Sequence, residues 1–344
     1  MKQLSKLLSA VVLGFGLFLT GPGPAEAQTE WRMQSLHPAG TPGFEMFRDY
    51  FVPLVSEMSG GRLTITPFAN DSIVESDETL DAVSNGTFEA AQQSPAYWTG
   101  KDAAFVFLRN ASAGFDQAWQ YNSWLNQGGG LELAREVYGA QGVYLAGFTM
   151  RPGEPLHFKE RIGSLAEFRE AGPKVRTIEG IPADVFAAMG GSPVFISGSE
   201  IYSALDKGTI DVGEWTGLAD NFSVGFHEVT EAFIYPSFHS PVGVDDVFVD
   251  QEAWDALDDD LKAIFNTAVE RWSQQQWESM YVGDAAALQQ FKDAGNEHVV
   301  WSDQDMVEVR NLAKDAWAKW GGESELAKKV YESQIGFMEK LGLI

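Results

Sequence analysis

The chain has 344 residues, of which 44% are hydrophobic and 21% are charged, so it is long enough for two domains with sizeable cores. Its formal net charge of −25 argues against nucleic acid and anionic lipid as partners, because both require basic protein surface. The sequence has no cysteine, which excludes disulfides, lipid attachment at a cysteine and a cysteine nucleophile.

Residues 1–27 have the pattern of a secretory signal peptide. Lys2 and Lys6 precede an apolar run from Leu7 to Leu19, which is too short to span a bilayer comfortably. A small-residue cleavage sequence, "AEA", ends at Ala27. We predict cleavage before Gln28 and a mature protein in the periplasm. An uncleaved membrane anchor is the alternative.

Strand and helix patterns alternate through the rest of the chain, which predicts an α/β fold with largely parallel sheets. The predicted strands cover residues 30–38, 62–68, 87–94, 143–151, 173–179, 192–197, 209–215 and 242–250. The predicted helices between them cover residues 43–61, 76–86, 128–142, 164–172, 182–191 and 199–208. A long amphipathic run follows at about 255–293, and two further helices end the chain.

One helix–turn–strand unit occurs twice. "DAVSNGTFEAAQQS" starts at Asp81 and "SALDKGTIDVGEWT" starts at Ser203, and both place Gly-Thr after the predicted helix. The repeat predicts two lobes of similar topology with a ligand cleft between them and the long helix packed along both. We predict lobe 1 at 28–150, with about 241–280 returning to it. Lobe 2 is predicted at 151–240, with about 281–344 packing on it.

The motifs of the common enzyme classes do not occur in this sequence. It has no Gly-x-Ser-x-Gly elbow, no Walker loop and no Gly-x-Gly-x-x-Gly. "HEVTE", which begins at His227, resembles half of a zinc-protease motif, but the second histidine is missing. We therefore predict a binding protein and not an enzyme.

The repeat places polar and aromatic residues where strands end, and ligands bind beyond the carboxyl ends of strands in open α/β sheets. Gln93 lies near the end of a predicted strand of the first unit, and Tyr97 and Trp98 follow that strand. Glu214 and Trp215 end its repeat partner. We predict that these five residues line the cleft. The alternative is that the aromatic rings pack inside their own lobes and that Glu214 forms a structural ion pair.

Arg176 ends another predicted strand of the second lobe. Its planar guanidinium matches a carboxylate, and the strongly acidic chain offers few competing cations. We predict that Arg176 anchors a ligand carboxylate. A surface salt bridge is the alternative.

Several segments resemble the solute-binding proteins of tripartite ATP-independent periplasmic (TRAP) transporters, and the resemblance spans nearly the whole mature chain. The segments are "EMSGGRL", "ETLDAVSNGT", "AYWTGKD", "GGGLELAREVY", "GPKVRT", "EIYSALDKGTIDVGEW" and "YPSFHSP". The sequence is most similar to the branch that binds 2-oxo and hydroxy acids such as pyruvate and lactate, in some members through a metal ion. The carboxylate-binding arginine of the family falls on Arg176.

The sequence departs from that branch at several positions. The branch commonly has a glutamine near Glu154 and a glutamate at Ser240, and Arg151 has no clear counterpart in it. Related binders of larger sugar acids place a second arginine in this region. Arg151 is therefore a further candidate ligand contact, and it would favour a second anionic group.

Glu214 would repel a carboxylate bound beside it, because like charges in contact are costly. A bridging Na⁺ or Ca²⁺ held by Glu214, the carbonyl of Trp215 and Glu154 would remove the conflict. The other arrangement has Glu214 binding an amino or hydroxyl group of the ligand.

The resemblance implies a periplasmic protein that captures a small organic acid by cleft closure and delivers it to TRAP membrane permease subunits. We expect a monocarboxylate with a 2-oxo or 2-hydroxy group, because the predicted lining is aromatic. For the oligomeric state, a homodimer is one alternative. The rival functions are a ligand-sensing subunit of the same fold and an exported lyase or hydrolase using Glu214.

Overall fold

The computed structural model describes residues 28–196 and 198–344. The predicted signal peptide, residues 1–27, lies outside the described residues. Within the described residues, no helix has both the length and the apolar composition that a membrane crossing requires.

Two sheets contain the strands of the described residues. The strands are β1 (Thr29–Gln34), β2 (Leu63–Phe68), β3 (Ala90–Gln93), β4 (Val143–Pro152), β5 (Leu156–Phe158), β6 (Lys174–Arg176), β7 (Ser192–Val194), β8 (Val212–Glu214), β9 (Ala232–Ile234), β10 (Val242–Asp250) and β11 (Glu297–His298).

Helices cover both sheets. They are α1 (Pro42–Met46), α2 (Val52–Met58), α3 (Thr79–Ser84), α4 (Phe105–Leu108), α5 (Ala118–Gln127), α6 (Gly130–Gly139), α7 (Leu165–Ala171), α8 (Ile181–Ala188), α9 (Ile201–Lys207), α10 (Leu218–Ser223), α11 (Phe226–Val229), α12 (Gln251–Asp255), α13 (Asp259–Asp293), α14 (Asp303–Gly321) and α15 (Glu325–Lys340). A π-helical turn, Phe47–Phe51, joins α1 to α2.

The first sheet has the strand order β2-β1-β3-β10-β4. β1 pairs in parallel with β2 and β3, whereas β10 runs antiparallel to both β3 and β4. β1, β3 and β4 therefore point the same way, and their carboxyl ends share one edge of the sheet. Arg151 lies near the end of β4, opposite Gly243 of β10.

The second sheet has the order β11-β9-β5-β8-β6-β7. β6 and β8 run parallel, with Val175 beside Val212, so Arg176 and Glu214 end adjacent strands at the same edge. β5 is antiparallel to both β8 and β9. β5 is the strand that enters this sheet directly from β4 of the first sheet.

The predicted repeat is present in the structure. α3 leads through Gly86, at φ 72°, into β3, and α9 leads through Gly208, at φ 69°, into β8. Both glycines adopt the left-handed conformation that commonly ends a helix. Glycine adopts it most easily because it has no Cβ atom. The two units therefore deliver Gln93 and Glu214 to equivalent strand ends in the two lobes.

Several passages of the described chain connect the two lobes, including the one from α14, which packs on α8, to α15, which packs on α4 and α6. β4 continues into β5, β9 leads back into β10, and α13 packs on β4 and α2 of one lobe and on α10 and β11 of the other. The core under the first sheet is aromatic, with Phe51 stacked on Trp272 of α13 at 4.4 Å between ring centroids. The link from β4 to β5 contains Glu154 and the link from β9 to β10 contains His239, two of the functional side chains described below.

Candidate functional site

Arg176 and Glu214 lie together at the carboxyl ends of β6 and β8, as their strand-end positions predict. Arg176 Nη1 donates to Glu214 Oε1 at 2.9 Å and to the Glu214 carbonyl at 3.0 Å. Arg176 Nε donates to the carbonyl of Ile196 at 3.1 Å. Both side chains are buried, at 4% and 1% exposure, so Arg176 is not part of a surface salt bridge.

Glu154 lies in the link between β4 and β5 and accepts hydrogen bonds from two arginines. Arg109 Nη2 is 2.9 Å from its Oε2, and Arg151 Nη2 is 2.7 Å from its Oε1. Burial alone would raise the pKa of Glu154, but the charges of Arg109 and Arg151 hold it well below the ordinary value. Glu154 is therefore a fixed anion at the hinge between the lobes.

His239 connects the two carboxylates. Its Nε2 lies 3.3 Å from Glu154 Oε2 and 3.8 Å from Glu214 Oε2, without a well-aligned hydrogen bond to either. Its Nδ1 lies 2.9 Å from the hydroxyl of Ser237. Burial opposes protonation of the ring, but the two carboxylates raise the pKa of His239 overall. Arg176, Glu214, His239, Glu154 and Arg109 thus form one continuous cluster.

Arg151 also contacts Asp245 of β10, with Nε 3.3 Å from a carboxylate oxygen. The side chain lies across Gly243, where a Cβ atom would fall 2.4 Å from Arg151 Cγ. Two carboxylates, Glu154 and Asp245, already balance this one guanidinium. The role of Arg151 as a ligand contact stays a prediction.

Two side chains predicted as metal ligands, Glu154 and Glu214, lie close together in the structure. Glu154, Glu214 and His239 each offer a donor atom within 4.8 Å of the others, and all three are buried. The predicted pair Glu154 and Glu214 is thus brought together, and His239 adds a donor that the sequence prediction did not contain. Two carboxylates suit hard cations such as Na⁺ and Ca²⁺, which prefer oxygen ligands.

The two aromatic residues predicted to line the cleft from the first lobe differ in burial. Trp98 is 0% exposed and donates from its indole nitrogen to Asp246 at 2.8 Å, so it packs inside its own lobe, as in the alternative stated for it. Tyr97 is 36% exposed. Desolvation raises its pKa, and the charges of Arg176, Asp71, Glu214 and Arg109 also act on it.

Gln93 and Trp215 are both near the cleft edge of their sheets. Gln93 is buried and its side-chain Nε2 has no hydrogen-bond partner. Trp215 is half-buried and stacks on Phe226, with 6.5 Å between ring centroids. A Cβ atom at Gly198 would lie 2.5 Å from the Trp215 indole nitrogen, so this loop closes directly over the ring.

Sequence reasoning missed two members of the cluster. Arg109 follows the short helix α4 and lies 45 residues from Glu154, and no periodicity marks it. His239 stands in the segment "YPSFHSP" between β9 and β10, which carries part of the family resemblance. That segment was a usable signal for His239, whereas the sequence holds none for Arg109.

Comparison with known proteins gives the family. The model of the bacterial extracellular solute-binding proteins, family 7, matches residues 33–323. The chain belongs to this family. The predicted family and the two-lobe α/β fold are therefore confirmed. The family consists of solute-binding proteins and not of enzymes.

Three similar proteins illustrate the family. A monocarboxylate 2-oxoacid-binding periplasmic protein of Nostoc sp. is 29% identical over 90% of this chain and 84% of its own length. A TRAP transporter solute-binding protein of Bordetella bronchiseptica, a mixed-occupancy dimer with copurified calcium and picolinate, is 26% identical, with a TM-score of 0.82 over 92% of this chain and 93% of that one. A TRAP periplasmic solute-binding protein of Pseudoalteromonas atlantica with bound sodium and pyruvate is 25% identical, with a TM-score of 0.79 over 92% of this chain and 95% of that one.

Proposed function

We propose that this family 7 protein captures a small 2-oxo or 2-hydroxy monocarboxylate in the periplasm and delivers it to the membrane subunits of a TRAP transporter. The observation that carries the proposal is the buried guanidinium of Arg176 at the carboxyl end of β6, where ligands of α/β folds bind. The Nostoc relative, named for 2-oxo acids, and the pyruvate in the Pseudoalteromonas structure support the ligand class.

Arg176 is held in place before any ligand arrives. Its hydrogen bonds to the carbonyls of Ile196 and Glu214 fix the plane of the guanidinium. A planar fork that is already ordered binds a carboxylate with little further loss of side-chain entropy. Tyr97 at the cleft mouth and Trp215 would cover the apolar part of the ligand.

Closure of the lobes would follow from contacts on both sides. Gly180, four residues after Arg176, lies close to the first lobe, where a Cβ atom would fall 3.0 Å from Val106 Cγ1. A ligand on Arg176 that also contacts first-lobe groups stabilises this closed arrangement, because it binds the closed state better than the open one.

A cation would fit between the ligand and the two glutamates. Glu154 and Glu214, with the carbonyl of Trp215, would hold Na⁺ or Ca²⁺, and the cation would neutralise repulsion between Glu214 and the ligand carboxylate. The ion pair between Arg176 and Glu214 favours this binding role over a catalytic base at Glu214. The sites in the Bordetella and Pseudoalteromonas proteins, with calcium and sodium, support the assignment.

The test of the function is calorimetry with pyruvate and lactate on wild type and Arg176→Ala. Removing one partner of a buried charged pair costs about 2–5 kcal/mol, or about 30- to 4000-fold in affinity. Arg176→Lys should also bind more weakly, because the planar fork is lost. The matched control is Arg169→Ala, an exposed arginine paired with Glu308 at 2.8 Å. An Arg176→Ala affinity within about threefold of wild type would contradict the assignment.

The cation has its own test. Chelation and dialysis against sodium-free buffer should lower the affinity for pyruvate, and returning Na⁺ or Ca²⁺ should restore it, because the cation offsets like-charge repulsion. In Glu214→Gln the dependence on the cation should become weaker. Equal affinity in cation-depleted and cation-replete buffer would rule out an obligatory exchangeable cation.

A further inference from the structure

The strand β4 forms one edge of the first sheet. Its neighbour on one side is β10, and no strand of the described residues pairs with its other side. A groove of about 540 Å³ runs along this free edge, with α5 as one wall and α13 as the other. β4 forms its floor through Ala146, Gly147, Phe148 and Met150. None of the residues that line the groove belongs to the arginine–glutamate cluster of the candidate site.

The free edge of β4 leaves backbone polar groups without partners at Phe148. The N–H of Met150 donates to Ser273 Oγ of α13 at 3.1 Å, so Met150 directs its backbone groups away from β10. Residues two apart on a strand direct these groups the same way, so those of Phe148 also face the groove. Among the described residues, nothing outside the sheet hydrogen-bonds to them. Arg135 Nε covers the carbonyl of Leu145 at 3.1 Å, so the open stretch of edge begins after it.

An unpaired stretch of strand edge favours an extended chain as its partner. The side chain of Phe148 is buried, with its ring 6.4 Å from that of Tyr121 between centroids, so its backbone is the part that faces the groove. One residue of an added antiparallel strand supplies both the N–H and the carbonyl that Phe148 lacks. Strand addition at a sheet edge is a recurring mode of peptide recognition. The geometry therefore favours a peptide segment over a helix or a small molecule.

The walls of the groove are apolar and aromatic. Trp119 and Leu125 belong to the α5 wall, and Trp119 is 61% exposed. Val269 and Trp277 belong to the α13 wall. Trp277 stacks on the exposed Tyr281 at 5.2 Å between ring centroids, which extends the aromatic surface along α13. Because successive side chains of a strand point to opposite sides, a segment on β4 would bury apolar side chains against both walls.

The rim of the groove is acidic. Glu270 and Glu278 line it from α13, and both are exposed. Glu278 accepts a hydrogen bond from Gln274 Nε2 at 2.8 Å, which leaves its charge uncompensated. The residues that line the groove include no lysine or arginine. Charge complementarity therefore favours a segment with basic residues beside its apolar ones.

A second copy of this chain fits the groove poorly. If two β4 strands paired edge to edge about a twofold axis, α13 of one copy would face α13 of the other. Glu270 and Glu278 of the two copies would then oppose like charges. Each copy also carries a formal charge of −25, which adds long-range repulsion.

We propose that the groove between α5 and α13 is a docking site for an extended segment of a partner protein, in which lysine or arginine flanks apolar residues. The segment would add to β4 as a further strand through the backbone of Phe148. Its apolar side chains would contact Trp119 and Trp277, and its basic residues would lie beside Glu270 and Glu278. The groove is separate from the ligand cleft, so the proposal does not depend on which organic acid binds.

The probe is the heptapeptide Lys-Leu-Val-Phe-Val-Leu-Lys with acetylated and amidated ends, and its counterpart has glutamate in place of both lysines. Calorimetry on wild type should show that the glutamate peptide binds at least about tenfold more weakly, because it meets like charges. Glu278→Lys should reduce or reverse this preference. Glu57→Lys is the matched control, since Glu57 is an exposed glutamate of α2 beside β2, at the opposite edge of the sheet, and it should keep the wild-type preference.

Trp119→Ala tests the apolar wall. It should weaken binding of the lysine peptide about 30-fold or more, the effect of removing an aromatic anchor from an interface. Because Trp119 and Glu278 are exposed, the Tm and the affinity for pyruvate should stay at their wild-type values in both variants. A loss of peptide binding then reports on the groove and not on unfolding or on the ligand cleft.

N-methylation of the lysine peptide tests the strand pairing. A methyl group placed in turn on each backbone nitrogen should weaken binding about 5- to 100-fold at alternate positions, because only every second N–H faces β4. Equal effects at all positions would exclude an added strand and overturn the inference. Failure of the lysine peptide to bind wild type, or unchanged binding to Trp119→Ala, would overturn it as well. Dimerisation of the protein that Trp119→Ala abolishes would assign the groove to a second copy and also contradict the inference.

Discussion

Asp246 is a buried acid whose hydrogen bonds organise the interior of the first lobe. Its carboxylate accepts from Trp98 Nε1 at 2.8 Å, from the backbone N–H of Gln93 at 3.0 Å and from the hydroxyl of Tyr138. Burial nevertheless raises the pKa of Asp246 to about 7, above the ordinary value of about 3.9. Protonation of this one group therefore affects stability within the physiological pH range.

The sign of the effect follows from linkage. Because the folded pKa of Asp246 is raised, its stabilising contribution is complete below about pH 4 and is lost as the pH rises through about 7. Asp246→Asn removes this loss. The unfolding free energy of the variant relative to wild type should therefore increase from about pH 5 to about pH 8, by roughly 2–3 kcal/mol, measured by urea denaturation.

Asp260→Asn is a control of opposite sign. Its hydrogen bond with Arg62 lowers the pKa of Asp260, so that side chain stabilises the fold above its unfolded pKa and loses the effect in acid. Parallel pH profiles for wild type and Asp246→Asn would show that Asp246 does not titrate in this range.

At the scale of elements, α13 carries the connection between the lobes. It has 35 residues, which corresponds to a length of about 52 Å at about 1.5 Å per residue. Asp259 and Asp260 lie in its first turn and Lys292 in its last, so the charges complement the helix dipole at both ends. Gly283 lies in its later part, beside α10 of the second lobe.

Gly283→Ala should stabilise the protein. A glycine inside a helix costs about 0.5–1 kcal/mol relative to alanine, and a Cβ atom at Gly283 would meet only Ala219 Cβ, at an ordinary 3.7 Å. We expect the unfolding free energy to increase by that amount in chemical denaturation. Gly321→Ala, whose Cβ atom would fall 2.6 Å from Tyr331 Cδ1, is the control and should destabilise. A Gly283→Ala variant less stable than wild type would contradict the expectation.

The helices and strands that could be predicted from sequence are those marked by a local sequence pattern. The amphipathic run at 255–293 became α13, and the repeated Gly-Thr units became α3–β3 and α9–β8. Arg176 and Glu214 could be placed together because both end strands of one sheet. Arg109 could not be placed, because it lies outside regular elements and its partner Glu154 is distant in the sequence. His239 also lies outside regular elements, and its one signal was the family resemblance of the segment around it.

For the whole molecule, net charge opposes the proposed ligand. The chain carries a formal charge of −25, while its ligand is expected to be an anion. The long-range field therefore repels the ligand, whereas the buried arginines and the proposed cation attract it at short range. Salt reduces the repulsion, since the screening length falls from about 30 Å at 0.01 M to about 8 Å at 0.15 M.

Association should therefore accelerate with ionic strength. We expect the association rate of pyruvate, followed by stopped-flow tryptophan fluorescence, to rise about two- to tenfold over that range of salt. The dissociation rate is the internal control and should change less, because it depends on buried contacts that salt screens weakly. Slower association at higher salt would indicate attractive steering and would contradict this account.

The repeated crossing of the chain between the lobes also bears on how the protein can evolve. In the first sheet, β4 and β10 are neighbours, but in the chain they lie before and after the segment that forms most of the second sheet. α13 then crosses between the lobes again. A single recombination event therefore cannot exchange one lobe for that of a relative without splitting a sheet or a helix. Substitutions of single side chains within the cleft change ligand preference without such a break.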